Sequence, residues 1–275
     1  MELAVLRLAG HRQTGHKKRV MTTSQPQTVT AAILVIGDEI LSGRTKDKNI
    51  GYIAEYLTNI GIDLKEVRVV ADDQDAIVGA LNALRSAHTY VFTTGGIGPT
   101  HDDITADCVA KAFGVTIDYH PEALRIIGER VARMGGEMNE ARKRMARIPA
   151  GAKLVPNKVS GAPGFWIGNV ITMAGVPTIM QAMLDAVAPD LKTGAKMMSE
   201  TIRADAREGD VGTELGEVAK AHPDVMIGSY PFFDEKSGPN TNIVVRGRDP
   251  QKIAAAKEAV EAMLAKVRAQ MAAAR

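Results

Sequence analysis

The sequence predicts an α/β fold, in which a mostly parallel sheet is covered by helices and a small α+β unit follows. Three observations predict it. Apolar runs typical of strands alternate with segments of helical periodicity over the first two thirds of the chain. Loops rich in glycine and aspartate follow the first three of these strands. After Lys192-Thr193-Gly194, a segment typical of a linker, a shorter set of strands and helices begins.

The first predicted strand, at 31–36, is a continuous apolar run that ends at Gly37, as expected for a strand buried on both faces. Helical periodicity from 45 to 60 follows through Ile50, Ile53 and Leu57. Gly61 stands where a left-handed residue would end that helix. The same reasoning predicts strands at 62–70 and 90–94 and helices at 75–87 and 104–113.

Farther along, the pattern predicts helices at 121–134 and 139–147, a strand pair at 165–167 and 170–173, and a closing helix at 178–191. In the second unit we expect strands at 197–204, 224–228 and 243–246 and helices at 213–220 and 251–268. The expected organisation is an N-terminal extension over 1–28, a ligand-binding domain over 29–192 and a small domain over 196–268.

The composition excludes several classes of protein. Hydrophobic residues make up 45% and charged residues 24% of the 275 residues, as in ordinary globular proteins. The net charge of +2 gives no argument for nucleic acid or a membrane surface as a partner, and no apolar run reaches the ~18–20 residues needed to cross a bilayer. A single cysteine excludes an intrachain disulfide framework and suits a reducing compartment. We therefore expect a cytoplasmic protein.

The first 28 residues are basic but do not form a signal peptide, because their short apolar patch precedes the basic residues. An organellar transit peptide fits the charge alone. A disordered tail, or an upstream start with Met21 as the natural first residue, explains the same composition without a targeting role. We favour this second interpretation.

Three loops leave the carboxyl ends of the first three predicted strands, where open parallel sheets bind their ligands. If the first strand lies between the other two, these loops converge at one edge, and we expect a single site there. The first loop contributes Gly37, Asp38, Glu39, Ser42 and Gly43 to this site, the second is Ala71-Asp72-Asp73, and the third runs from Gly95 to Asp103.

The third loop has the composition of a phosphate cradle. Its glycines let backbone N–H groups turn towards an anion, its threonines offer hydroxyl donors, and the following helix presents its positive end. The alternative is a tight strand-to-helix turn that binds nothing, and the loop lacks the lysine of a Walker motif. The residues expected to contact the ligand here are Thr94, Gly95, Gly96, Gly98, Pro99, Thr100 and Thr105.

Two aspartate pairs, Asp72-Asp73 and Asp102-Asp103, stand beside this cradle. Carboxylates so placed would repel a phosphate unless a cation lay between them, and Mg²⁺ commonly uses one or two carboxylates plus phosphate oxygens. The alternative is helix capping, because Asp73 and Asp103 each precede a predicted helix. We expect a metal or catalytic role for Asp103, with Asp102 as a candidate second metal ligand whose role stays open.

Other conspicuous side chains are interpreted as structural. His101 fits a solvated loop better than acid–base chemistry. Cys108 fits a small core residue, and Trp166 fits packing better than stacking on a base. The basic side chains of the helix at 139–147 fit a solvated face better than a phosphate contact; they are Arg142, Lys143, Arg144 and Arg147.

The segments 37–43 and 94–105 resemble the molybdopterin-binding MoaB/Mog superfamily, and within it the N-terminal region of the CinA proteins. The chain is also similar to the N-terminal domain of eukaryotic FAD synthases. This likeness runs from about residue 30 to 268. Further agreement lies at Asn49, Asp72-Asp73, Pro149-Ala150-Gly151-Ala152, Ala162-Pro163-Gly164-Phe165, Gly175-Val176-Pro177 and Gly228-Ser229-Tyr230-Pro231.

The resemblance implies a three-layer α/β/α domain with a pocket for pterin or adenine-nucleotide pyrophosphates. In CinA-like proteins this domain is associated with metal-dependent hydrolysis of ADP-ribose-type pyrophosphates, in FAD synthase relatives with hydrolysis of FAD, and in MoaB/Mog proteins with adenylylation or binding of molybdopterin. The functional acids of the family correspond to Asp73 and Asp103. The resemblance adds Asn49, Pro163, Gly164, Gly175 and Pro177 to the expected ligand contacts.

The chain departs from the family at two positions of the expected site. Ala174 stands where the family usually has proline, and Met145 stands where CinA proteins usually have glutamine, so the hydrogen bond of that glutamine is lost. The chain also ends before the deamidase domain of full-length CinA, and we expect no deamidation of nicotinamide mononucleotide.

The second unit resembles the KH-type insert of CinA proteins, and Gly209-Asp210-Val211-Gly212 has the spacing of the loop that clamps nucleic acid in KH domains. Because Glu208 and Asp210 make this segment acidic, we expect a structural or interface role and no nucleic-acid partner.

Three functions remain open at this stage. The first is a nucleotide pyrophosphatase dependent on Mg²⁺, with Co²⁺ and Mn²⁺ as alternative cofactors, acting on an ADP-ribose or FAD type substrate. The second is a non-catalytic protein that binds molybdopterin or a nucleotide and is linked to molybdenum cofactor biosynthesis. The third is a regulatory or scaffold protein whose site has decayed, as Ala174 and Met145 suggest. The resemblance implies a homo-oligomer in each case.

Overall fold

A computed structural model describes residues 28–273 of the chain. Its first part contains strands and helices in alternation, followed by a helical segment and two strand pairs. In chain order these are β1 (Val29–Ile36), α1 (Asp38–Leu41), α2 (Asn49–Asn59), β2 (Ile62–Val70), α3 (Gln74–Ala87), β3 (Tyr90–Thr94), α4 (Thr105–Phe113), β4 (Ile117–Tyr119), α5 (Pro121–Arg133), α6 (Glu140–Arg144), β5 (Arg147–Pro149), β6 (Lys153–Val155), β7 (Gly164–Ile167), β8 (Val170–Met173) and α7 (Pro177–Val187).

Six of these strands form one sheet in the order β2-β1-β3-β8-β7-β6. Strands β2, β1, β3 and β8 run parallel, whereas β7 and β6 are antiparallel to their neighbours. The mostly parallel α/β fold predicted from the sequence is thus confirmed. Strand β1 lies between β2 and β3, which is the arrangement that brings the three predicted loops to one edge.

The sheet is covered by helices on both faces because side chains alternate along its central strands. Leu34 and Ile36 of β1 pack in one core with residues of α3, α4 and α5. Ile33 and Val35 pack on the opposite face with residues of α2 and α7. Two separate apolar cores therefore flank the sheet, and together they make the three layers.

Local sequence signals explain several element boundaries. Helix α2 is followed by Gly61, which has a φ of +80°, and α4 ends at Gly114 in the left-handed conformation with a φ of +65°. Helices α5 and α7 begin at Pro121 and Pro177, where a missing backbone N–H is tolerated.

The C-terminal part is a three-stranded antiparallel sheet with two helices. Its elements are β9 (Met198–Arg203), α8 (Glu208–Ala221), β10 (Met226–Asp234), β11 (Gly238–Gly247) and α9 (Pro250–Ala273), and the strand order is β10-β11-β9. A third core lies between this sheet and α8 and α9. No helix between residues 28 and 273 is long and apolar enough to cross a membrane.

The structure differs from the sequence-based prediction at several elements, and two of these differences bear on function. The predicted helix at 139–147 ends at Arg144, and residues 147–149 form β5, which pairs with β4. The segment Gly209-Asp210-Val211-Gly212 is not a loop, since all four residues lie in the first turns of α8. A KH-type backbone clamp needs a loop at this position, and none is formed.

Candidate functional site

The three predicted loops meet at the carboxyl edge of the sheet. The backbone N–H of Gly37 donates to Val70 O at 3.1 Å, and the N–H of Asp38 donates to Asp72 Oδ2 at 2.9 Å. The first and second loops are therefore joined directly. On the other side of β1, Gly95 N donates to Met173 O at 3.2 Å and ties the third loop to the end of β8.

A cleft of about 550 Å³ opens above this edge. It combines polar loop residues with an apolar floor that includes Ile97, Ile179 and Met183. The sequence-predicted residues that line it are Glu39, Gly95, Gly96, Gly98, Pro99, Asp103, Gly175 and Pro177. The remaining residues of its lining are Thr45, Met145, Asn157, Ser160, Ala162, Ala174 and Val176.

The backbone of the third loop requires glycine at two positions. Gly95 has a φ of +100°, and a Cβ there would lie 2.1 Å from the carbonyl oxygen of Ile36. Gly96 has a φ of +65°, and its Cβ would lie 2.1 Å from Thr105 Oγ1. Thr105 is fully buried and fastens the loop, because its hydroxyl donates to Gly95 O at 3.0 Å. The predicted contact Thr105 thus shapes the loop rather than lining the cleft.

Asp103 folds back over this loop. Its Oδ2 accepts from the backbone N–H of Thr100 at 2.8 Å and from the Thr100 hydroxyl. The carboxylate sits against Gly98, where a Cβ would stand 2.6 Å from Oδ2. Helix α4 begins at Thr105 with Ile104 as its N-cap and no side-chain capping bond. Helix capping therefore does not account for Asp103, whose carboxylate lines the cleft.

Asp73 is placed differently. It is the N-cap of α3, and its Oδ1 accepts from Ala76 N at 2.8 Å. The neighbouring Asp72 faces the first loop instead, and its pKa is raised above the ordinary value by burial and by the charges of Asp38, Glu39 and Asp102. In the Asp72-Asp73 pair, Asp73 is thus a helix cap, whereas Asp72 belongs to an acidic group beside the cleft.

Asp102 is exposed beside His101, with 3.9 Å between His101 Nδ1 and Asp102 Oδ1. His101 is almost fully exposed, in line with the solvated loop position expected for it. Over residues 28–273, no group of three or more His, Cys, Asp or Glu side chains is close enough to hold a metal ion alone. A cation held by carboxylates here would therefore need further oxygen ligands, such as those of a bound phosphate or water.

The other predicted contacts occupy the rim or the framework of the site. Ser42 and Gly43 are exposed, whereas Thr94 and Asn49 are buried. Asn49 Nδ2 donates to Gly175 O at 2.8 Å and so positions the loop after β8. Gly164 is required for packing, because a Cβ would lie 2.3 Å from the carbonyl oxygen of Thr172.

Sequence reasoning missed the loop that closes the cleft opposite the glycines. Asn157 is buried; its Oδ1 accepts from Val159 N and Ser160 N, and its Nδ2 donates to Ala162 O at 2.9 Å. Pro156 and Asn157 are residues favoured in turns, Ser160-Gly161 is a typical turn dipeptide, and together they could have indicated this loop.

Two of the four basic side chains interpreted as a solvated face, Arg144 and Arg147, instead contact the protein, so the interpretation is wrong for these two. Lys143 is partly exposed and pairs with Glu140 on the surface of α6. Arg147 forms a two-pronged ion pair with Asp107, with N–O distances of 2.6 and 2.8 Å. Arg144 Nη2 donates to the backbone oxygen of Asp103 at 3.3 Å. Arg144 is the last residue of α6 and Arg147 the first of β5, and both side chains reach residues 103 to 107 around the start of α4.

Cys108 and Trp166 are structural, as expected. Cys108 is fully buried, and burial, reinforced by the charge of Asp107, raises the pKa of its thiol to about 11. Trp166 donates from Nε1 to Gly168 O at 2.9 Å and packs edge-on against Tyr90 with 6.1 Å between ring centroids.

Comparison with known proteins identifies the family. Residues 32–193 match the model of the "Probable molybdopterin binding domain", and residues 196–271 match the model of the "FAD synthase, middle domain". The chain belongs to the molybdopterin-binding domain family. The resemblance to MoaB/Mog and CinA proteins noted in the sequence is thereby confirmed, and the family indicates a small-molecule ligand.

Individual relatives agree with this assignment. The chain is 34% identical over 218 residues to a "CinA-like protein" of Geobacter metallireducens, covering 74% of this chain and 53% of the relative. It is 30% identical over 239 residues to a "Probable FAD synthase" of Caenorhabditis elegans, covering 78% of this chain and 46% of the relative. The chain thus spans about half the length of these two proteins.

A solved structure supports the same fold for the first domain. The crystal structure of the CinA protein of Thermoplasma acidophilum, described as having unknown function, matches with a TM-score of 0.55 at 34% identity. The match covers 59% of this chain and 98% of that one.

Proposed function

We propose that the cleft binds a nucleotide pyrophosphate of the ADP-ribose or FAD type and hydrolyses it with the help of a divalent cation. The observation that carries this proposal is the position of Asp103, whose carboxylate is held over Gly98 in the wall of the cleft without capping a helix. The similarity to a "CinA-like protein" and to a "Probable FAD synthase" supports this class of ligand.

The donor groups at this edge fit a hard divalent cation. They are carboxylate oxygens, which Mg²⁺ prefers, and fewer than three of them converge, which suits an ion that keeps water and takes ligand phosphates as its other partners. Asp103 and Asp102 are the residues that would hold it. When bound, such an ion would neutralise charge on the phosphate oxygens, with Co²⁺ and Mn²⁺ as alternatives to Mg²⁺.

The chain's own residues have distinct tasks in this proposal. Backbone N–H groups of the loop at Gly96 and Gly98 bind a phosphate, and the apolar residues Ile179 and Met183 accommodate a ring. An acid beside the phosphate orients or deprotonates the attacking water, whose oxygen forms a new P–O bond as the bridging P–O bond breaks. ADP-ribose would yield AMP and ribose 5-phosphate, and FAD would yield AMP and FMN.

The family resemblance assigns a second functional acid to Asp73. Its Oδ1 already accepts from Ala76 N, so only Oδ2 would be available to contact the ligand or the attacking water. Asp72 is the better placed member of that pair in this geometry, because it bonds the first loop and shares the acidic group with Asp38 and Glu39.

The test is incubation of the purified chain with ADP-ribose and with FAD, without metal and with Mg²⁺, Co²⁺ or Mn²⁺, followed by chromatography of the products. We expect AMP to form only when a divalent cation is present. Absence of AMP under every condition, from a folded protein, would refute the enzymatic proposal.

A binding protein without turnover is the second candidate, and the lining of the cleft favours it in one respect. Met145 and Ala174 both line the cleft, and they offer only a weakly accepting thioether and a methyl group where a reacting group would have to be oriented. The ligand would then be molybdopterin or a nucleotide, linked to molybdenum cofactor biosynthesis. A rise in melting temperature with these ligands but no product would indicate this function, and no rise with any of them would leave a scaffold role.

A further inference from the structure

A narrow crevice lies directly beside the cleft, behind the glycine loop. It shares Gly96, Ile97, Gly98, Asp103 and Met145 with the cleft. Its other wall is formed by side chains of α4, α6 and the strands beyond, namely Ala106, Asp107, Arg144, Arg147, Ile148, Pro163 and Phe165. The backbone expected to bind a phosphate and the side chains of Arg144 and Arg147 therefore line the same crevice.

The two arginines differ in how their charges are balanced. Arg147 donates from both terminal nitrogens to Asp107, at 2.8 and 2.6 Å, so each charge of this pair is neutralised by the other. Arg144 makes no ion pair with any residue between 28 and 273. Its recorded hydrogen bond is the 3.3 Å contact from Nη2 to the backbone oxygen of Asp103.

The guanidinium of Arg144 is also incompletely hydrogen-bonded. Its Nε is buried and has no hydrogen-bond partner in the described part of the chain. A guanidinium carries five N–H donors and stays charged at all relevant pH values, so a buried donor without an acceptor is destabilising until an acceptor arrives. Arg144 is held in this position because it is the last residue of α6 and the chain becomes buried at Ala146 and Ile148 directly after it.

We propose that Arg144 binds an anionic oxygen of the ligand and forms a phosphate subsite together with the backbone of the glycine loop. A planar guanidinium suits phosphate because two parallel N–H donors can meet two oxygens. Two acidic side chains, Asp103 and Asp107, also line the crevice and would repel a phosphate. The charge of Asp107 is neutralised by Arg147, and that of Asp103 would be neutralised by the proposed cation. The inference rests on the proposed function only in requiring a ligand that carries phosphate.

The test is titration calorimetry of the full chain with inorganic pyrophosphate, with and without Mg²⁺, for wild type and three variants. Arg144→Gln removes the charge, and Arg144→Lys retains it but removes the planar fork. Arg133→Gln is the matched control, since Arg133 is exposed on α5 and donates to its own helix. Melting temperatures of all four proteins show whether each is folded.

We expect Arg144→Gln to weaken pyrophosphate binding by about tenfold or more, as for loss of a charged hydrogen-bonding partner, with Arg144→Lys intermediate and Arg133→Gln unchanged. If ADP-ribose is hydrolysed, KM should rise in Arg144→Gln far more than kcat falls. Wild-type affinity in Arg144→Gln, or no binding of pyrophosphate to the wild type, would overturn the inference.

Failure of this inference can be told apart from failure of the proposed function. Binding of pyrophosphate that depends on Arg144, in a chain that hydrolyses nothing, would support the subsite and refute the enzyme. Hydrolysis of ADP-ribose with unchanged KM in Arg144→Gln and Arg144→Lys would support the enzyme and refute the subsite.

Discussion

Gly95 carries the sharpest backbone requirement of the site. Its φ of +100° is unfavourable for any L side chain, and an added Cβ would also collide with Ile36 O at 2.1 Å. We expect Gly95→Ala to lower the free energy of unfolding by about 2 kcal/mol or more, because strain and collision add.

Gly43 provides the matched control for Gly95. It has a φ of +72°, but a Cβ there would meet nothing within 4 Å. We expect Gly43→Ala to lower stability by only about 1 kcal/mol, from backbone strain alone. Urea unfolding of both variants gives the comparison. Equal losses would show that the close approach of Gly95 to Ile36 is not a real constraint.

The sequence could not distinguish the roles of Asp73 and Asp103, because each follows another aspartate and precedes a helical pattern. The difference is an offset of one residue. Helix α3 begins at Gln74, directly after Asp73, whereas α4 begins at Thr105 with Ile104 as its N-cap. Helix boundaries are the least certain part of a sequence-based prediction, so this distinction needed the structure.

At the level of elements, helix α3 depends on its N-cap. Asp73→Ala removes the acceptor of the 2.8 Å bond from Ala76 N, and we expect a loss of about 1 kcal/mol in unfolding free energy. Asp73→Asn should be nearly neutral because asparagine caps helices as well as aspartate does. Thermal and urea unfolding check both variants, and equal destabilisation by Ala and Asn would contradict the capping role.

The turnover of the same Asp73→Asn variant tests the catalytic role that the family resemblance implies for Asp73. Because its fold and cap are preserved, a large loss of turnover in Asp73→Asn would identify Asp73 as a functional acid. Unchanged turnover would leave it as a helix cap.

Helix α8 makes binding of single-stranded RNA through Gly209-Asp210-Val211-Gly212 unfavourable. These residues are helical, Arg207 N donates to Asp210 Oδ2 at 3.3 Å, and Ser229 Oγ donates to Glu208. We expect no gel shift with a single-stranded RNA oligonucleotide at physiological salt, since the acids repel phosphate. A clear shift that Gly209→Asp abolishes would contradict this.

Most elements of the first domain could be predicted because their patterns are long and well delimited. The strands at 62–70 and 90–94 were predicted to the residue. Helix α8 begins at Glu208 rather than at the predicted 213, and Gly209 and Gly212 weaken the helical signal there. Strand β10 continues past the predicted end at 228 and includes Pro231, a residue that is rare in central strands. Pro231 is tolerated because β10 is the edge strand of its sheet.

At the scale of the whole molecule, a partly buried ion pair links the residue after β11, in the C-terminal part, to β2 of the first sheet. The guanidinium of Arg248 pairs with Asp63, and its Nε donates to Ala195 O at 3.0 Å. Burial alone would raise the pKa of Asp63, but its bonds to Arg248 and Lys65 outweigh burial and hold that pKa below the ordinary value. The stabilisation is therefore present at neutral pH and is lost as the pH falls through the folded-state pKa.

We expect Arg248→Gln to lower the free energy of unfolding by about 1–3 kcal/mol at pH 7. The loss should shrink as the pH falls below the ordinary aspartate pKa, where the unfolded chain takes up the proton, and should vanish below the lower folded-state pKa of Asp63. Lys65→Gln is the control, because Lys65 is about half exposed and its pair should contribute less than about 1 kcal/mol. Urea unfolding across this pH range is the measurement, and a loss independent of pH would contradict the account.

From the sequence, the meeting of the three loops at one edge could be predicted only on the condition that the first strand lies between the other two. The strand order places β1 between β2 and β3, and nothing in the local patterns of Gly37, Asp72 or Gly95 specifies that order. The approach of Arg144 to Asp103, 41 residues apart, depends on how α6 packs against α4 and was beyond local reasoning.

The most direct test of the central claim is metal-dependent hydrolysis of ADP-ribose by wild type and Asp103→Asn. Asparagine can still accept from Thr100 N, so the loop should keep its fold and the melting temperature should barely change. Asp75→Asn, which removes an exposed carboxylate of α3, is the control and should behave as wild type. We expect Asp103→Asn to lower turnover by about 10²-fold or more, the scale of losing a positioned catalytic group. Hydrolysis at the wild-type rate by Asp103→Asn, in a chain that is demonstrably active, would contradict the account.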